Sequence, residues 1–241
     1  MLSGDRSMAD TITLSEQIEN STLLSLHQHC PPQTRRELGL ELINIADATV
    51  SIARHDSNIL LNRAQGLGTS SPASLDDIAR ISTCYQDRGV ERFFLQLYEQ
   101  DLPFEPGLLQ SSCALVKARS WMKFERRAEA PPTPKGSVQV EQVNESTANE
   151  FGRIVCGAFE LSDAAVPLVA GLVKDSRWHL FLASIDGQPA GAGGLFVENG
   201  CGWLDWGATD PRYRRRGCQG AVMEARIQRA LTLGCKPVSY T

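Results

Sequence analysis

Residues 200–241, "GCGWLDWGATDPRYRRRGCQGAVMEARIQRALTLGCKPVSYT", constrain the fold more than any other stretch of the chain. "GCGWLDWGAT" has the length and apolar content of a strand. Asp210-Pro211 then bends the chain, and "CQGAVMEARIQRALTLG" is an uninterrupted helix-forming run closed by Gly234. "KPVSYT" follows as a second strand. Strand, corner, helix and strand in that order demand a sheet with a helix packed across it. The corner carries Arg214, Arg215 and Arg216 in succession, then Gly217 and Gly220.

A helix N-terminus exposes backbone N–H groups that have no acceptor inside the helix, and the helix dipole adds partial positive charge there. When such groups converge from a tight turn they form a concave seat for an anion. Gly217 and Gly220 let a phosphate approach the backbone without a Cβ in the way, and arginines at the rim add bidentate contacts. The chemistry fits a diphosphate or a similar polyanion. The chain as a whole is acidic, with net charge −4 and pI near 5.6, so the anion site is local. That balance, without basic or aromatic repeats around "RYRRRG", argues against a nucleic-acid partner.

"ERRAEAPPTPKGS" marks a break, because Pro131, Pro132 and Pro134 forbid a continuous helix or central strand. The sequence is accordingly divided into residues 1–128, a proline-rich linker at 129–136 and a C-terminal domain at 137–241. The first part has a helical pattern from about Leu14 to Ile45, interrupted at Pro31-Pro32. "NILLNRAQGLG" reads as a buried strand, and "SPASLDDIARISTCYQDRG" as a helix capped by Ser74 with Asp76 and Asp77 in its first turn. "RFFLQLY" is a strand, "PGLLQSSCALV" a short helix and "RSWMKFER" a strand, with Phe93, Phe94 and Trp121 expected in the core. In the second part "SVQVEQV" alternates as a strand, and two helices follow at "STANEFGRIVCGAFE" and "DAAVPLVAGLVKDSRW". "HLFLASIDGQPAGAGGLFVEN" forms a hairpin turning at Asp186-Gly187. Each half contains a strand, a glycine-bearing corner, a helix and a further strand, but only the second corner has arginines.

"WGATDPRYRRRGCQGAVMEARIQRALTLGC" resembles the acetyl-CoA signature of the GNAT superfamily of N-acetyltransferases, over about residues 137–241 and most strongly over 203–235. The family pattern of Arg or Gln, two residues, Gly, one residue, then Gly or Ala falls on Arg214, Gly217 and Gln219. Gln219 departs from the small residue expected, with Gly220 immediately after it. The resemblance implies an α/β (α+β) fold: a mixed, mainly antiparallel central sheet flanked by helices, in tandem with one degenerate half. It implies acetyl-CoA as cosubstrate and direct attack of the amine of a small acceptor on the thioester. Strand residues Gly207, Ala208 and Thr209 would pair with the pantetheine arm. Backbone N–H groups of Arg215, Arg216, Gly217, Cys218, Gln219, Gly220 and Ala221 would hold the pyrophosphate, with Arg214 and Arg216 beside the nucleotide phosphates. "KPVSYT" would splay from "WLDWGAT" to admit the thioester.

The attacking amine must be neutral, so a group must take its proton. Asp205 is the preferred base: strict alternation puts it on one face with Trp203, Gly207 and Thr209. Glu198 is the second choice. The family continues with a helix and two more strands, the helix often bearing a tyrosine that protonates the leaving thiolate. No such tyrosine is assigned here, since Tyr240 lies on a strand, and the N-terminal half is expected to supply part of the missing elements. Lacking the arginine corner, that half is expected not to bind CoA. The alternative function is a CoA-binding or regulatory module without turnover.

Seven irregularly spaced cysteines with no C-x-x-C pair imply reduced thiols rather than a disulfide or zinc framework. "HQHC" puts two histidines on different helix faces, so no metal site is expected. No apolar run is long enough for a signal peptide or a membrane span. The expectation is a cytoplasmic protein without a membrane partner, with a homodimer left open.

Overall fold

The computed structural model describes residues 8–69, 71–97, 124–127 and 138–240. The helix expected at 106–116, the linker at 129–136 and Trp121 lie outside them. The chain divides into two compact units: residues 1–23 with 36–121, and residues 24–35 with 122–241.

The first unit holds helix α1 (Met8–Gln28) as far as Leu23 and α2 (Pro32–Leu38) from Arg36, the residues between belonging to the second unit, then strands β1 (Leu40–Ile45), β2 (Ala48–Ala53) and β3 (Arg63–Leu67), helix α3 (Leu75–Gln86) and strand β4 (Phe94–Leu97). The sheet order is β1-β2-β3-β4, antiparallel except where β4 runs parallel to β3. Val50, Ile52, Ala64 and Leu67 pack with Ile78, Ile81 and Tyr85 of α3. Phe93 stacks on Tyr85 with ring centroids 4.2 Å apart.

The hairpin β1–β2 corrects the sequence reading, which extended helix to Ile45. Gly39, at φ +59°, ends α2, and Ala46, at φ +50°, begins the turn. "LELINI" carries the alternation of a strand, but its leucines and isoleucines also satisfy a helical spacing, and no glycine marks the turn that follows.

The second unit contains β5 (Phe124–Arg127), β6 (Gln139–Gln142), helices α4 (Ala148–Phe159) and α5 (Val166–Ala170), strands β7 (Trp178–Ile185), β8 (Gln188–Glu198) and β9 (Cys201–Thr209), helix α6 (Cys218–Thr232) and β10 (Pro237–Tyr240). Short 3-10 segments flank α5, so the second helix expected in this unit is broken into three pieces. The sheet order is β5-β10-β9-β8-β7-β6. Only β9 and β10 run parallel. The turn between β7 and β8 is at Asp186 and Gly187, with φ of +52° and +74°, the left-handed pair that a two-residue hairpin needs. Phe124–Arg127 pairs antiparallel with β10. The sequence reading grouped this strand with the N-terminal half, but its hydrogen bonds belong to the second sheet.

One face of the second sheet packs on α6, through Phe181, Ala183, Cys218 and Val222 and through Leu195, Leu204, Ile227 and Val238. At the start of β7 a polar network fixes the C-terminal turn of α1. The Trp178 indole donates to Ser25 Oγ at 3.1 Å, and Ser25 donates to Asp175 Oδ2 at 2.6 Å. Arg177 bridges Asp175 and Glu198, 2.7 Å from each. Burial alone would raise the Asp175 carboxyl, but hydrogen bonds from Arg177 and Ser25 outweigh it and hold the group at about 2. A carboxyl held below its ordinary value stabilises the fold above about pH 4, and loses that contribution as pH falls toward 2. The melting temperature of the second unit is therefore expected to drop between pH 4 and 2, and Asp175→Asn to flatten that drop in acid-titrated thermal melts.

Candidate functional site

The site is built where β9 gives way to α6. Strand β9 carries a bulge: Gly194 pairs with Asp205 and Ala192 with Ala208, so Trp206 and Gly207 together oppose Gly193. Trp206 sits at φ +54°, a region that bulky side chains rarely occupy. Its indole is buried and meets Phe159 of α4 edge-on at 5.9 Å. A bulge inserts one residue and re-aims the side chains beyond it.

That re-aiming corrects one expectation. Paired residues share a face, and a Cβ on Gly191 or Gly193 would meet Cys218 or Val222 of α6, so Thr209 opposite Gly191 points to the α6 side. Gly207 does too, since a Cβ there would lie 3.0 Å from Gln219 Nε2. Asp205 pairs with Gly194, whose Cβ would meet Trp178 instead, and so it points to the opposite face. Alternation is broken between Asp205 and Gly207, and the two do not share a side of the sheet.

After β9, the Asp210 carboxylate accepts the Arg212 N–H at 2.9 Å and pairs with its guanidinium at 2.7 Å. The chain then twists through Arg215 at φ +61° to Gly217 at φ +90° and ψ 0°, the N-cap of α6. No side chain caps this helix. The N–H groups of Cys218, Gln219 and Gly220 have no acceptor within the helix; the first in-register bond is Ala221 N–H to the Gly217 carbonyl, 3.0 Å. A cavity of about 360 Å³ opens there, lined by Thr209, Tyr213, Arg214, Arg215, Gly217, Cys218 and Gln219. Its charged walls are both arginines. Thr209 Oγ1 is buried and has no hydrogen-bond partner among the described residues.

Of the other expected residues, Arg216 lines no part of that cavity. Its guanidinium reaches Asp186 at 3.4 Å and lies over the Tyr213 ring. Gly220 is exposed, with nothing within 4 Å of where a Cβ would stand. Ala208 and Ala221 are buried. The Cys218 thiol is buried and pushed up by desolvation, which suits a packing role rather than a nucleophile. Gln219, the departure from the small-residue pattern, lies over Gly207, so the missing side chain on the strand makes room for the larger one on the helix. Glu198 is engaged by Arg177 and pairs with Cys201 at the far end of the hairpin, roughly 20 Å along β9 from the bulge. Beyond Leu204, β9 has no strand on its β10 side among the described residues.

Sequence reasoning missed Arg226. It lies on the sheet-facing stripe of α6 with Cys218, Val222 and Ala230 and is 2% exposed. The one available signal was an arginine at a position whose i±4 neighbours are apolar.

The described residues of the first unit repeat the strand, glycine corner and helix with a different helix start. Strand β3 also shifts register before its helix, with Gly66 at φ +88°. At α3, however, Ser74 and Asp77 form a reciprocal capping box, and Asp76 and Asp77 occupy the first turn. The box uses the Ser74 and Asp77 N–H groups and the local charge is negative, which disfavours an anion.

A bulged strand feeding an uncapped, arginine-rimmed helix, in a mixed and mainly antiparallel sheet, defines a GNAT-like fold. Residues 146–241 match the model of the acetyltransferase (GNAT) family. The structure resembles a GCN5-related N-acetyltransferase from Kribbella flavida, with a TM-score of 0.58 and 15% identity over 98% of this chain and 86% of that one. It also resembles a functionally unknown conserved protein from Staphylococcus epidermidis, with a TM-score of 0.55 and 13% identity over 84% and 83% of the two chains. Among curated proteins, none matches the chain by sequence. No described helix is long and apolar enough to cross a membrane, and no described group of three or more His, Cys, Asp or Glu residues could hold a metal ion.

Proposed function

We propose that the chain is an acetyl-CoA-dependent N-acetyltransferase acting on the amine of a small acceptor. The observation that carries this reading is the uncapped N-terminus of α6, rimmed by Arg214 and Arg215 and continuous with the bulged strand β9. The cosubstrate's diphosphate is received by backbone N–H groups between Arg215 and Ala221. The pantetheine arm lies along Gly207–Thr209, which no described strand pairs on the β10 side, and Thr209 Oγ1 offers it a buried polar contact. In the first unit the start of α3 is self-capped and acidic, which disfavours an anion there.

The acceptor approaches the face on which Asp205 lies. Its amine nitrogen attacks the thioester carbonyl carbon, forming the C–N bond, and strand N–H groups stabilise the oxyanion. The C–S bond then breaks and CoA leaves as thiolate. The proton lost by the amine passes to Asp205, directly or through one water, and a proton from solvent neutralises the thiolate. Asp205 Oδ1 accepts the Trp206 N–H at 2.7 Å, which holds the carboxylate against the bulge.

The test is a CoA titration followed by an amine panel with thiol release as readout. Binding with thiol release supports the transferase; binding without release by any amine supports the module without turnover; no binding overturns both. Asp205→Asn is expected to leave CoA affinity unchanged, to lower kcat by about 10²–10⁴-fold and to remove the acid limb of the rate–pH profile. An unaltered profile would remove Asp205 as base.

A further inference from the structure

Among the described residues, Arg226 is a buried cation without an ion pair. It is 2% exposed, and burial pulls its guanidinium down to about 10, with the nearby Asp205 charge opposing the change. It is therefore still protonated at neutral pH. No carboxylate of the described residues stands within 4 Å of it. Nη1 donates to Asp205 O at 3.1 Å and to Gly194 O at 3.3 Å, Nε to Val222 O of its own helix at 3.4 Å, and Nη2 to the Met223 thioether at 3.8 Å. A desolvated charge held by carbonyls and a thioether, with no carboxylate in contact, is costly, and well-packed apolar residues commonly replace such a group without loss of stability. Its position needs another reason.

Asp205 and Gly194 form the last regular pair before the bulge. The Asp205 carbonyl belongs to the peptide unit whose N–H is that of Trp206. One peptide plane thus has its oxygen held by Arg226 and its N–H held by the Asp205 carboxylate at 2.7 Å. The next residue is the one in the left-handed region, Trp206 at φ +54°, a conformation that persists only where the surroundings impose it. Gly193 and Gly207 leave the guanidinium its space: a Cβ on Gly193 would stand 2.9 Å from Arg226 Cζ, and one on Gly207 3.6 Å from Nη2.

We infer that Arg226 is a positioning residue: through two strand carbonyls it locks the Asp205–Trp206 peptide in its flipped orientation and thereby sets the place of the Asp205 carboxylate. Its effect on rate rests on the transferase reading above; its effect on the strand rests on geometry alone.

Arg226→Met keeps side-chain length and removes the donors. Expected are a melting temperature within a few degrees of wild type, a CoA dissociation constant and an acetyl-CoA KM within threefold, and a kcat lowered about 10–100-fold. Amide hydrogen exchange over residues 203–209 is expected to accelerate at least tenfold, with α6 unchanged. Arg226→Lys, which can reach one carbonyl but not both in fork geometry, gives intermediate values for kcat and exchange, and decides the matter alone if Arg226→Met does not fold. Wild-type exchange at 203–209 in both variants overturns the inference. So does loss of protection in α6 together with the strand, which marks a merely structural role. An inactive wild type with fast strand exchange in Arg226→Met overturns the transferase reading and leaves the lock standing.

Discussion

Gly220→Glu is expected to raise the melting temperature while abolishing CoA binding. Gly220 is the third residue of α6, exposed, with nothing within 4 Å of a Cβ, so the side chain meets no steric obstacle. Replacing glycine in a helix gains roughly 0.5–1 kcal/mol, and a carboxylate in the first turn gains about 0.3–1 kcal/mol from the helix dipole. Together these lift the melting temperature by about 2–8 °C in a protein of this size. The same carboxylate turns toward the unpaired N–H groups that the diphosphate needs. Two like charges 4 Å apart at an effective dielectric constant near 20 repel by about 4 kcal/mol, and a diphosphate carries more than one. Affinity should fall at least about 100-fold, which corresponds to roughly 2.7 kcal/mol. Calorimetric titration with CoA beside a thermal melt reads both effects. Stabilisation with unchanged CoA affinity would place the cosubstrate elsewhere; loss of both would mean only that the helix was damaged.

The opposite signs of these effects follow from how the corner is made, and that much was legible in the sequence. Asp210-Pro211, the arginine run, Gly217 and the following helix-forming run are local signals, each acting within a few residues of itself. The capping box at Ser74 and Asp77, which marks the other helix as closed, was local too, as was the Asp186-Gly187 turn. The bulge was not legible, because it exists only relative to β8: Trp206 and Gly207 are extra residues only when counted against Gly193. Reading β9 as a regular strand therefore put Asp205 on the wrong face. The pairing of Phe124–Arg127 with β10 joins segments more than a hundred residues apart, which no local pattern encodes. A single arginine in an amphipathic helix reads as surface, and Arg226 shows itself only once the glycines opposite it are seen.

Those glycines give the second large effect. "GAGG" at residues 191–194 was read simply as part of a hairpin strand, yet each glycine faces something bulky: Cys218 across from Gly191, Val222 and Arg226 from Gly193, Trp178 from Gly194. At Gly193 a Cβ would come within 2.6 Å of Val222 Cγ1 and 2.9 Å of Arg226 Cζ. Gly193→Ala is expected to cost about 1–3 kcal/mol, the usual price of overpacking a filled core, and its two clashes should separate. Val222 is β-branched, fully buried and stiff at χ1, so it carries the stability loss. Arg226 is long and can swing aside, so it carries the loss of kcat. Adding Val222→Ala to Gly193→Ala should therefore return part of the stability. The double variant is then destabilised by about 1 kcal/mol or more less than the sum of the singles, a coupling of the size expected for residues in contact. The turnover should stay low, because the second substitution gives the guanidinium no route back past the new methyl. Urea unfolding and steady-state kinetics on the four proteins of the cycle measure this. Additive stabilities would mean that α6 does not approach the strand as closely as Gly193 allows. A double variant with wild-type kcat would mean that Arg226 regains the bulge once Val222 makes room.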